Sequence, residues 1–126
     1  MIDRDDAVRR LASEAPEVAR TYAMLVSKDR MDQTLAYADL SASMKAAMWS
    51  HQLLTAIVEH PEFTDEQRAI IGDALDLFTP EMFEITEGHP EFRTRVHEPI
   101  SDIERRAKAS FPRETAFRLF AHLGPV

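Results

Sequence analysis

Apolar residues recur along this chain at spacings of three and four, and no window alternates with the period of two that a half-buried strand requires. The strongest stretch covers 41–59, SASMKAAMWSHQLLTAIVE. Trp49, Leu53, Ile57 and Val58 stack at helical spacing, with Met44, Met48 and Leu54 beside them. Lys45, Gln52, Thr55 and Glu59 leave only a narrow polar stripe. A helix apolar over most of its circumference has to be covered on several sides. Ser41 is placed to cap its start, because a serine hydroxyl accepts from an unpaired first-turn N–H. Pro61 ends it by disfavouring helical angles at residue 60. The pattern predicts a single all-α domain over 1–126, built of six to eight short helices packed around a central helix at about 42–59.

The other elements follow from caps and breakers. Asp3 caps a first helix with Val8, Leu11, Ala12 and Ala15 on its apolar face. Pro16 fits the first position of a second helix, where its missing N–H costs nothing, or else a kink within one long helix. Val18, Tyr22, Leu25 and Val26 give that segment a face. Asp29 caps a short helix bearing Met31, Leu35 and Ala38. Thr64-Asp65-Glu66-Gln67 is a capping box. The helix it opens sets Gln67, Ile70, Ile71, Ala74, Leu75 and Phe78 on one side. Gly72 inside it costs about 1 kcal/mol relative to Ala, and a close helix approach would account for its presence. Thr79-Pro80 starts a short helix with Met82, Phe83 and Ile85, which Gly88 should end. Residues 89–98 show weak periodicity. Pro99 or Ser101 opens a helix with Ile100, Ile103, Ala107 and Phe111 on one face. Pro112 opens the last one, with Ala116, Phe117, Phe120 and Leu123 inward, before a Gly124-Pro125 stop. His60-Pro61-Glu62-Phe63 recurs as His89-Pro90-Glu91-Phe92, but the segments before the two copies match poorly. The recurrence is therefore assigned to local turn chemistry rather than to a structural repeat.

Charge changes the picture most. The net charge is −7, unevenly spread. Residues 59–92 hold ten acidic side chains against one basic, Arg68, whereas 93–126 hold seven basic against four acidic. An acidic middle argues against a general nucleic-acid binder, which needs a clustered basic face. It suits instead a peptide or protein partner with a basic face. Asp73, Asp76, Glu81, Glu84 and Glu87 are the candidate partner-binding residues, a solvated face being the plain alternative. The absence of cysteine excludes disulfides, thiolate nucleophiles and Cys-ligated zinc. MIDRDDAVRR is followed by no apolar h-region, and no apolar run approaches the roughly 18 residues of a membrane span. These features predict a cytoplasmic protein without membrane contact.

Little chemistry is indicated. No two of the five histidines stand three or four apart, so no helical metal site is expected. Ser50 and His51 are adjacent on a helix and point about 100° apart, which is a poor nucleophile–base unit. No G-x-S-x-G, P-loop or G-x-G-x-x-G is present. No catalytic residue, metal or cofactor is assigned, and the balance is against an enzyme. His51, Met44 and Met48 mark a candidate pocket, since thioethers suit an adaptable peptide groove as well as they suit a core.

A family resemblance adds a setting. It is carried by Asp39-Leu40-Ser41, Trp49, His51, Phe63-Thr64-Asp65-Glu66-Gln67, Ile71, Thr79-Pro80-Glu81-Met82-Phe83 and Phe120-Ala121-His122-Leu123-Gly124. Over roughly 35–124 the chain resembles the bacteriocin fulvocin C-related proteins. The resemblance implies a small bacterial protein of a kind sometimes found beside peptide natural-product genes, and it carries over no catalytic residue. The family label implies a secreted toxin, but the lack of a secretion signal and of cysteine fits an intracellular accessory or immunity role better. The expected function is a non-catalytic helical binding or accessory protein, contacting a peptide or partner protein in modified-peptide (bacteriocin-like) biosynthesis or immunity. Two alternatives stand beside it. One is a small subunit of, or small enzyme in, a peptide natural-product complex, with His51 lining its site. The other is a structural protein that self-associates.

Overall fold

A computed structural model describes residues 2–14 and 16–120. Among them are eight α-helices, one π-helical turn and no strand. The helices are α1 (Arg4–Ala12), α2 (Pro16–Val26), α3 (Arg30–Ala38), α4 (Ala42–Glu59), α5 (Asp65–Leu77), α6 (Pro80–Glu84), α7 (Glu98–Ser110) and α8 (Arg113–Phe120). None of the described helices is long and apolar enough to cross a membrane.

Side-chain caps start most of these helices where the sequence places them. The carboxylates of Asp3 and Asp29 accept from the N–H groups of Asp6 and Asp32, at 2.8 and 2.9 Å. The Ser41 hydroxyl accepts from Met44 N at 3.1 Å, and that of Thr79 from Met82 N at 3.2 Å. Both halves of the Thr64 box are formed, and its Gln67 also donates to the Ser110 carbonyl at 2.7 Å. One side chain thus starts α5 and ties it to the end of α7. The start of α7 differs. The π-helical turn Arg93–His97 runs straight into it, so there is no break to cap. The two His-Pro-Glu-Phe copies close the same turn, with Phe63 N donating to His60 O (3.2 Å) and Phe92 N to His89 O (3.0 Å).

Packing makes α4 the centre. It meets α1, α2, α5, α6 and α8, and it buries Ala46, Met48, Trp49, Leu53, Leu54, Ala56 and Ile57. The Trp49 indole N–H donates to the Tyr37 hydroxyl at 2.7 Å. Its ring lies 6.0 Å from that of Phe78, which lies 6.1 Å from that of Phe83. A smaller cluster of Val18, Leu25 and Met48 fills the space between α2, α3 and α4, with Tyr22, Ala36, Tyr37, Leu40 and Met44 around it.

Several expected faces are turned. In α1 the fully buried residue is Ala7, which joins the main core, while Val8 is exposed. In α3 the cap is at Asp29 as expected, but Met31, Leu35 and Ala38 face outward. Gln33, Ala36, Tyr37 and Leu40 face inward instead, since only that side lets Tyr37 meet the Trp49 indole. In α2 Val26 is exposed, and in α8 Phe117 is exposed while Leu119 is buried. The α6 helix stops at Glu84, short of Gly88, because Ile85 goes extended and buries its side chain. The positions expected of Ala15, Leu123 and the Gly124-Pro125 stop lie outside the described residues.

Gly72 is not at a close helix approach: a Cβ built there meets nothing within 4 Å. Its cost is then purely the extra backbone freedom of the unfolded chain. Gly72→Ala should therefore stabilise the protein by about 0.5–1 kcal/mol. A higher urea midpoint at unchanged slope would show this, and a lower midpoint would contradict it.

Candidate functional site

His51 stands on the α4 face that looks towards the α1–α2 junction. Met44, Met48 and His51 follow at i, i+4 and i+7, and the structure does gather them on one side. Met48 is buried in the α2–α3–α4 cluster and Met44 packs half-buried beside it. Here the thioethers fill space between helices. His51 lies further along the same face, with its ring 5.1 Å from that of Tyr22. Its Nδ1 meets the Glu14 carboxylate. The two side chains are only 18% and 16% exposed, so the contact is well shielded from water. The carboxylate fixes the ring orientation and leaves Nε2 as the other nitrogen. Among the described residues no hydroxyl bonds to His51. The evident effect of the pair is to clamp the α1–α2 junction onto α4.

Contacts around this clamp reach α8. Gln52 Nε2 donates to the Arg118 carbonyl at 2.7 Å, and the Arg118 guanidinium meets His60 Nε2 at 3.1 Å. Burial raises the Tyr22 phenol above its ordinary value of 10.0, the Glu59 charge adds to this, and Arg118 opposes it. Burial likewise raises Tyr37, against the hydrogen bond from Trp49. Glu14 was not legible as a partner of His51, being 37 residues away on another element.

The acidic segment divides into occupied and unoccupied carboxylates. Asp73 receives the Arg106 guanidinium at 2.7 Å, which links α5 to α7. Glu91 pairs with Arg95 at 2.9 Å and Glu62 with His60 at 3.3 Å. Arg68, the only cation of the segment, is turned onto the Pro61 carbonyl at 2.6 Å. Asp76 shares a hollow of about 430 Å³ with Arg9 and Arg10 of α1. Glu81, Glu84 and Glu87 are exposed and make no ion pair among the described residues. They lie on α6 and the turn after it, an element whose Met82 is buried and which packs against α4. The sequence marks all five acids alike, and the fold separates them by supplying Arg106 to Asp73 from thirty-three residues away.

Two outcomes follow from this geometry. A double-mutant cycle with Glu14→Gln and His51→Gln should give a coupling energy of about 1 kcal/mol or more, since the pair is shielded and in direct contact; strict additivity would show that no clamp exists. Tyr22 and Tyr37 are the only tyrosines. Both have raised folded-state values, so their contribution to stability is complete below pH 10 and is lost as pH rises through those values. Phenolate absorbance should therefore develop at higher pH in the native protein than in urea, with stability falling over the same range. Coincident titrations in the two states would refute it.

No protein-family model, curated protein or solved structure matches this chain.

Proposed function

We propose that this chain is a non-catalytic binding protein that docks a peptide or protein with a basic face on α6 and the turn after it. The observation that carries this reading is that Glu81, Glu84 and Glu87 are exposed and make no ion pair among the described residues, in a sequence segment (59–92) whose one basic side chain, Arg68, is already engaged. Neighbouring like charges raise the local potential and steer a cationic partner; the nearest cation, Arg93, shares a hollow with Glu87 but pairs with Glu98 at 3.3 Å. α6 is also anchored from behind, with Met82 buried and Phe83 against Phe78, which leaves Glu81 and Glu84 exposed. The resemblance to bacteriocin fulvocin C-related proteins supplies the setting: an accessory or immunity factor for a modified peptide.

Binding of a synthetic lysine-rich peptide tests this docking surface. Affinity should fall as salt shortens the screening length from about 10 Å at 0.1 M. Charge reversal at Glu81, Glu84 and Glu87 should weaken binding by about tenfold or more at low salt, through slower association. Reversal of three exposed acids elsewhere, Glu17, Asp32 and Glu114, is the control for net charge. Equal loss in both variants would mean that α6 is surface only.

A further inference from the structure

We propose that the hollow between α1 and α5 binds a free aliphatic amino acid as its zwitterion. Both helices pack against α4, and between them lies a space of about 430 Å³. Small-molecule sites run from about 300 to 1,000 Å³, so this space suits a ligand of amino-acid size. Ala69, Gly72, Asp73 and Asp76 stand at i, i+3, i+4 and i+7 on α5 and make one wall. Asp6, Arg9 and Arg10 of α1 make the other, with Ile2 beside them. Gly72 is the unexpected residue here. A glycine inside a helix is unfavourable. Gly72 neither adopts a positive φ nor lets another element approach, since a Cβ there would meet nothing within 4 Å. What its missing side chain leaves is room on the wall of the hollow.

Charge selects the ligand. Five ionised side chains line the hollow, and three of them are engaged. Asp6 pairs with Arg9, and Asp73 pairs with Arg106 of α7 at 2.7 Å. Arg10 and Asp76 are left, one on each wall, and neither makes an ion pair among the described residues. A ligand of one charge would satisfy one of them and not the other. A carboxylate and an ammonium on the same carbon satisfy both. The guanidinium of Arg10 takes the carboxylate with two parallel N–H donors, and the Asp76 carboxylate accepts from the ammonium. Ile2, Ala69 and Gly72 add no hydrogen-bonding side chain, which favours an aliphatic ligand side chain over a polar one. The site uses none of Glu81, Glu84 and Glu87.

Backbone amide NMR shifts of the full chain, followed as L-leucine is added, test the proposal. The amides of Arg10, Gly72 and Asp76 should move together along one saturating curve. Leucinamide lacks the carboxylate and isocaproate lacks the ammonium. Each should bind the wild type about tenfold more weakly than leucine, because each leaves one charge of the site without its partner. Arg10→Gln and Asp76→Asn should each weaken leucine binding by about the same factor, with unchanged circular dichroism because both side chains are exposed. Gly72→Leu should fill the hollow and abolish binding while the fold is kept, since the added side chain starts in open space. Reversal of Glu81, Glu84 and Glu87 should leave leucine binding as it is, because the two surfaces share no residue. No saturable shift with leucine, an analogue that binds as tightly as leucine, or undiminished binding by Gly72→Leu would each overturn the proposal, whatever the outcome at α6.

Discussion

The need to cover α4 governs this molecule. A helix apolar around most of its circumference cannot face water on any broad side, and α1, α2, α5, α6 and α8 pack against it in consequence, with Tyr37 of α3 reaching its Trp49. Trp49 is where that demand is sharpest. Its ring is buried and packs against Phe78, yet its N–H still needs an acceptor, since an unpaired buried donor costs about 1–3 kcal/mol. The Tyr37 hydroxyl supplies one from α3. That single bond fixes which side of α3 turns inward, and so which side is left to solvent. The exposed stripe of Met31 and Leu35 is a consequence of satisfying the indole.

A second layer of polar contacts holds the covering helices in place. Glu14 meets His51, Gln52 meets the α8 backbone, Gln67 meets the end of α7, and Asp73 meets Arg106. Each joins elements far apart in sequence, and several use residues that a sequence pattern assigns to a solvated face. The acidic segment is the clearest example. Part of its charge is structural, spent on neighbouring guanidinium and imidazole groups, and the part on α6 and after it is left over. The two exposed surfaces thus differ in chemistry: the one on α6 is of a single sign, the one on α3 is apolar.

What the sequence determined by itself was local. Helix starts are written in residues three apart, as in Asp3 to Asp6, Ser41 to Met44 and Thr64 to Gln67, and each cap formed because both partners lie within one turn. Strong periodicity likewise located the core faces of α4 and α5, where Ile70, Ile71, Ala74 and Leu75 are all buried. The tertiary structure decided the rest. Short helices with apolar residues on two sides, such as α3 and α8, carry no local signal for which side wins. The choice depends on a distant partner: Trp49 for Tyr37 of α3, or the room left for Leu119 rather than Phe117 of α8. The same holds for charge. Asp73 and Glu84 look alike along the chain, but only folding brings Arg106 to one and leaves the other exposed with no ion pair among the described residues, because Coulomb attraction at contact range depends on distance in space and not on separation in sequence.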